Sequence, residues 1–207
     1  MYAIMPTPRK ISREATLAAA LRIADMEGIE AVTMRRVASE LGVEPMSLYK
    51  HISNKADVLD GISEAVMAEV EVPDRSSDPA SAIRTIARSI RNVALAHPRV
   101  FPLIALRPVA GPTGLALVEE TMRILLSTGL DPAGALKLYR ILDSYTIGSA
   151  LFDVARMTRS APLPDTRGYP LLASVAAAAS SVSAEQAFEE GLDHLISASL
   201  AKARRGS

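Results

Sequence analysis

Between Val32 and Lys55 the chain reads VTMRRVASELGVEPMSLYKHISNK, and no other stretch constrains the fold as much. Thr33 has a side-chain oxygen to cap a short helix whose inner face is Val37, Ala38 and Leu41. Gly42 falls just past that helix, where a sharp turn calls for positive φ. Pro45 stands where a second helix takes its first residue, and its missing N–H costs nothing there. Small Ala38 lets the two helices approach closely, and Val43, Leu48 and Ile52 close the wedge between them. The stretch predicts a helix-turn-helix followed by the first turn of a clamping helix.

The second helix, expected over Pro45 to Ile52, is too short to be stable alone. Its inward face is Leu48 and Ile52, which leaves Met46, Ser47, Tyr49 and Lys50 facing outward or sideways, with His51 adjacent. A short helix that buries one stripe and presents such residues suits entry into a DNA major groove. Asn54 can cap the next helix and Asp57 can answer it three residues on. Lys55 then lies at a helix N-terminus, a favourable place for a phosphate.

These residues carry a resemblance. TMRRVASELGVEPMSLYKHISNKADVLD resembles the N-terminal domain of the tetracycline-repressor (TetR) family of bacterial regulators. The matching residues are Ala38, Leu41-Gly42-Val43, Leu48-Tyr49-x-His51, Asn54-Lys55 and Leu59, within about Ile11 to Val70. Many members of that family carry Phe after the His; Ile52 here is nearer the tetracycline-repressor branch. The expected DNA-binding set is Thr33, Arg35, Arg36, Pro45, Met46, Ser47, Tyr49, Lys50, His51 and Lys55. Arg35 forks onto a guanine or binds phosphate, and Lys50 and Lys55 have the same type of role. Tyr49 reaches the sugar-phosphate edge or packs against the first helix; His51 touches phosphate or packs beneath its helix. By the resemblance, Met46 and Ser47 stand where the family reads bases.

At 207 residues the chain can bury a substantial core in one or two domains. Lys+Arg and Asp+Glu both number 23, so bulk charge cannot attract nucleic acid and any affinity must come from a local patch. From Thr33 to Lys55 the bases Arg35, Arg36, Lys50 and Lys55 face only Glu40 and Glu44, enough for a few phosphate contacts per subunit. There are no cysteines, which excludes disulfides and thiolate chemistry. His51, His97 and His194 show no metal-binding spacing, so no metal or cofactor is expected. The N-terminus lacks a signal-peptide layout, and the apolar run Leu171 to Val182 is well short of the ~18 residues a membrane span needs. A cytoplasmic protein is the expectation.

Residues 1–10, closing on Arg9 and Lys10, read as a basic arm that follows a DNA groove or as a solvated tail. Ser12 opens a helix with Leu17, Ala20, Leu21 and Ala24 inward, ending at Gly28. Lys55 to Val70 carries Val58, Leu59, Ile62, Ala65 and Val66 on one side. From Pro79 the pattern is almost wholly helical, with no strand alternation. Ile83, Ile86, Ala87, Ile90, Val93, Ala94 and His97 share one helix face, while Arg84, Arg88 and Arg91 read as a solvated one. A short helix near Val100 to Leu106 and another from Thr113 to Ser127 follow.

Asp131-Pro132 starts a long helix to about Met157 that is apolar nearly all round and therefore needs cover all round; a second subunit would supply it. Thr158 to Tyr169 reads as a loop, and Ser183-x-x-Gln186 is a capping box that opens the last helix. The long and last helices are candidates for a dimer-forming four-helix bundle, an arrangement the resemblance also implies.

The fold expected is all-α: a three-helix DNA-binding domain over residues 1–54, a connecting helix over 55–72, and a larger effector-binding and dimerisation domain over 73–207. The resemblance implies a homodimer on a palindromic operator, released when a small apolar molecule fills a C-terminal pocket. His97, Arg107, Met122, Tyr139, Asp143 and Ile147 are the candidate pocket residues, and Asp143 needs a partner such as Arg140 or Arg107 if buried. Tetracycline repressors proper carry a magnesium-contacting His four residues before an Arg-Pro pair. Leu103 holds that place here, which argues against magnesium-tetracycline as effector. No P-loop and no G-x-S-x-G elbow appears, so an enzyme is not expected. A constitutive DNA-binding regulator without an effector is the alternative.

Overall fold

The computed structural model describes residues 11–74, 76–107, 111–158, 168–178 and 181–203, and no strand occurs among them. The basic arm at 1–10 and most of the loop at 158–169 lie outside the described residues. Two compact units emerge. One is built on the segment that ends at Glu69 together with Arg99–Gly114; the other takes Val70–Pro98 and the chain from Leu115 onward. The first division thus falls at Glu69, and a later stretch of chain returns to the N-terminal unit.

In the N-terminal unit each helix begins and ends on a local signal. Helix α1 (Arg13–Glu27) starts where the Ser12 hydroxyl accepts from the Ala15 N–H at 3.1 Å, and it stops at Gly28. Helix α2 (Met34–Leu41) starts where the Thr33 hydroxyl accepts from the Arg36 N–H at 3.1 Å. Gly42 ends it at φ 69°, a left-handed conformation costly for any residue with a Cβ. The Val43 N–H then closes the turn on the Ala38 carbonyl at 3.0 Å.

Helix α3 is shorter than expected, with α-helical geometry only over Pro45–Leu48. Tyr49 flattens to ψ −9°, and a tight turn to His51 and Ile52 finishes the segment through two hydrogen bonds to the Leu48 carbonyl. Leu48 and Ile52 are buried completely, contributing roughly 3–6 kcal/mol together, so tertiary packing holds a helix too short to nucleate itself.

Helix α4 (Lys55–Met67) buries Val58, Ile62 and Val66 as one stripe; Leu59 sits at its margin and Ala65 is exposed. Across from it, α1 buries Thr16, Ala19, Ala20, Ile23 and Ala24, which moves the inner face off Leu21. Leu17 lies flat against Gly61, where any Cβ would collide with it. Short helix α6 (Phe101–Ala105) also belongs to this unit, with Phe101 buried.

The second unit is assembled from α5 (Pro79–Ala96), most of α7 (Pro112–Ser127), α8 (Pro132–Thr158), α9 (Pro170–Ala178) and α10 (Ala184–Ala203). Asp78 and Asp131 cap α5 and α8 by accepting from Ser81 and Gly134 N–H groups at 3.0 and 2.7 Å. Ser183 makes half of its expected box: it accepts from the Gln186 N–H at 3.3 Å, while the Gln186 amide turns onward to Glu190. Helix α9 has no counterpart in the sequence reading.

The arginine face expected to be solvated on α5 is paired along its length, and only its last member, Arg91, is buried; Arg88 stays exposed. Arg84 pairs with Asp193 and Arg88 with Glu189, each at 2.5 Å. Both pairs step by four residues in opposite chain directions, so α5 and α10 run antiparallel as a two-rung ladder. Arg91, a turn further on, is buried against Asp153 of α8 at 2.8 Å. Its guanidinium also lies 5.3 Å from the centre of the Phe188 ring, which stacks on Tyr145 at 5.7 Å. The Tyr145 hydroxyl donates to the Phe188 carbonyl at 3.0 Å, and Gly191 leaves room for that ring. The reason is acidic residues more than sixty positions away, which no local pattern on α5 announces. Helix α8 buries Leu138, Leu142, Ala150 and Val154 inside the unit, yet Leu136, Ile141, Phe152 and Met157 remain exposed.

Candidate nucleic-acid interface

Helices α2 and α3 set the geometry of the predicted DNA face. With Leu48 and Ile52 inward, Met46 on α3 and Tyr49 and Lys50 in the turn that follows it are exposed. Met46 is 74 % exposed and Tyr49 48 % exposed. Pro45 and Ser47 are half-buried at the flanks. The His51 side chain is exposed, so of its two expected places the one beneath the helix is not occupied. Thr33 is exposed at the start of α2, Arg35 follows on the outer surface, and Lys55 opens α4.

Charge narrows the set. Arg36 is held between Glu27 and Glu40, at 2.7 and 3.0 Å, and its Nε also donates to Glu27. That triad neutralises Arg36 within the unit. Among the described residues no ion pair engages Arg35, Lys50 or Lys55, so these three cations remain available to an anionic partner.

A brace behind α3 was not foreseen. Arg13 of α1 pairs with Asp57 at 2.5 Å and extends toward the His51 carbonyl at 3.4 Å. Asp57 also accepts from the Ser53 N–H at 2.8 Å, while Asn54 caps the Asp57 N–H at 3.0 Å. The Arg13 hydrogen bond first, and then the Ser53 N–H, pull the Asp57 carboxyl down to about 2. The chain between α3 and α4 is therefore fastened from two sides. Asp57 was legible as a capping residue; Arg13 lies 44 residues away and had no signal.

The pocket candidates divide between the units. Arg107 belongs to the N-terminal unit and pairs there with Asp60 at 2.8 Å, so it does not serve Asp143. Nearby, the Glu64 carboxylate accepts from the Thr113 N–H at 2.8 Å. His97 is half-buried at the end of α5, where its N–H closes on the Val93 carbonyl at 3.0 Å. Met122 is half-buried on α7. Tyr139, Asp143 and Ile147 occupy successive turns of α8. Although Asp143 has exposed surface, desolvation of its carboxyl raises its pKa. Desolvation, then the Asp143 charge, raises that of Tyr139. Among the described residues no ion pair joins Asp143 to Arg140.

Comparison with known proteins agrees with an all-helical fold that begins with a helix-turn-helix domain. Residues 17–62 match the family described as "Bacterial regulatory proteins, tetR family", and residues 72–201 match "Tetracyclin repressor-like, C-terminal domain". The HTH-type transcriptional repressor DrrR1 of Streptomyces coeruleorubidus is 32% identical over 134 residues, 64% of this chain and 50% of its own length. An HTH-type transcriptional regulator of Saccharopolyspora erythraea is 34% identical over 140 residues, 67% of this chain and 59% of its own. The chain thus spans between half and three fifths of these two relatives. Apo ActR from Streptomyces coelicolor superposes with a TM-score of 0.78 at 29% identity, covering 98% of this chain and 100% of that one. ActR in complex with actinorhodin superposes at 0.77 with 31% identity, covering 93% and 98%. Among the described residues, no helix is long and apolar enough to cross a membrane.

Proposed function

The chain belongs to the tetR family of bacterial regulatory proteins, whose members are DNA-binding transcription regulators and not enzymes, and from that membership we propose a homodimeric repressor released by a small apolar ligand. The observation that carries the reading is the outward face of α3. Met46, Tyr49 and Lys50 face away from a core that Leu48 and Ile52 anchor, with Arg35 and Lys55 exposed beside them. Two such faces, delivered by two subunits about one helical turn apart, match a palindromic operator. The exposed apolar residues Leu136, Ile141 and Phe152 on α8 give it a surface that a second copy, through a bundle of α8 and α10, would cover.

Residues 73–207 receive the effector in this proposal, and α4 connects them to the reading helices. The ligand-bound state of ActR supports the sensor part, and the name of DrrR1 supports repression. His97, Met122, Tyr139, Asp143 and Ile147 remain the proposed pocket residues; Arg107, tied to Asp60, is the weakest of the original six.

Lys50→Ala tests the interface. Gel-shift titration on an operator duplex is expected to show about tenfold weaker binding, in line with loss of one DNA contact. Undiminished affinity rejects α3 as the reading helix. A thermal-shift screen with apolar metabolites tests the sensor: stabilisation by one of them is expected, and a protein that responds to none is a constitutive regulator.

A further inference from the structure

The reading face mixes two chemistries. Lys50, in the turn that ends α3, is exposed, as are Arg35 and Lys55, and these cations fit an anionic partner; Met46, four residues earlier on α3, has nothing to offer a phosphate. Its thioether donates no hydrogen bond and accepts only weakly, so it cannot read the donor and acceptor pattern of a base edge. It is nonetheless the most exposed of the large apolar residues on the two reading helices, at 74 %. Nothing in the fold of the unit requires it there, because Leu48 and Ile52 supply the burial that holds α3. In the major groove one base carries an apolar group that such a side chain can recognise, the C5-methyl of thymine.

We infer that Met46 is a specificity-determining residue that selects thymine at one position of each half-site by packing on its C5-methyl. The inference rests on the proposed role of α3 as reading helix and adds the base class. Ser47 is half-buried at the flank and Tyr49 carries a polar hydroxyl and is less exposed, which leaves Met46 as the apolar reader. The side chain is unbranched and flexible, so it adapts to the methyl without requiring one fixed rotamer. Selectivity is accordingly modest: one methyl removed from water amounts to about a fourfold effect on affinity.

The test uses the full-length protein and duplexes selected by it from a randomised pool. Each thymine of the preferred half-site is replaced in turn by deoxyuridine, which removes the methyl and leaves the hydrogen-bonding pattern intact. Wild type is expected to lose about three- to fivefold affinity at one position per half-site and little elsewhere. In Met46→Ser that sensitivity disappears, while Met46→Leu restores it; Lys50→Ala binds more weakly throughout but keeps it. Thermal melting is expected to be unchanged in Met46→Ser, as befits an exposed position.

A wild-type scan with no sensitive thymine overturns the inference, as does a sensitivity that persists in Met46→Ser. A pool that yields no preferred sequence overturns the underlying reading of α3 and this inference with it. Selection of a preferred duplex that tolerates every deoxyuridine separates the two, leaving α3 as reader and Met46 without the role.

Discussion

The two units of this chain are stabilised by interactions of different range. In the N-terminal unit the helix ends are set by partners three or four residues away, Ser12 to Ala15, Thr33 to Arg36 and Asn54 to Asp57. In the C-terminal unit the charged contacts that fix helix against helix join residues 62, 101 and 109 positions apart. The first unit can present a binding face because its frame is locally specified and leaves outward positions unused. In the second, polar side chains that look idle in sequence are committed to neighbouring helices. A locally framed surface can be inferred from its residues, whereas helix contacts made by distant pairs cannot.

The largest expected effect comes from breaking a distant pair. Asp153→Ala leaves Arg91 buried without its carboxylate and is expected to destabilise the protein by about 3–5 kcal/mol in urea unfolding. Hydrogen exchange read segment by segment should place the loss on α5, α8 and α10; a loss spread equally into α1 to α4 would dissolve the contrast between the units. A local cap is worth less. Thr33→Ala removes one capping bond from α2 and is expected to cost about 1 kcal/mol, with operator affinity falling alongside because Thr33 and Arg35 open the same helix.

The smallest effect sharpens the exceptions in the N-terminal unit, where the Arg13–Asp57 brace, like Arg107–Asp60 and Glu64–Thr113, joins residues more than forty positions apart. Its side chains are 42 % and 23 % exposed, so solvent screens the pair. The Asp57 pKa is depressed on folding, to about 2. The brace therefore contributes fully above the ordinary carboxylate value of about 3.9 and is lost as pH falls toward about 2. Urea midpoints of wild type and Asp57→Asn should differ at pH 5 and converge near pH 2, read in parallel titrations; a gap that stays constant would mean Asp57 acts through its cap alone.

What was legible in the sequence follows the same division. Gly42, Pro45, Leu48 and Ile52 are read correctly because backbone conformation and a four-residue stripe are local physics. The length of α3 is not, since a stretch that short takes its form from what it packs on. Arg84, Arg88 and Arg91 look like a wet face because a run of arginines at helical spacing reads the same whether water or Glu189, Asp193 and Asp153 stand opposite. Arg36 is the reverse case: a cation expected on DNA pairs within the unit with Glu27, nine residues earlier, which its own helix does not announce. Helix α9 was missed because its alanine-rich, unpunctuated run carries no period that distinguishes helix from loop, and Leu171, Leu172 and Val175 are exposed around it.

The four-residue length of α3 has a consequence for descent. In the proposed function, anchorage falls to Leu48 and Ile52 and recognition to Met46 on α3 with Tyr49 and Lys50 in the turn after it, so the outer three form an exchangeable module. On that proposal, replacing them would rewrite which DNA sequence is addressed without retuning the scaffold. A lineage can thus acquire new targets by few substitutions, each passing through a fully folded ancestor.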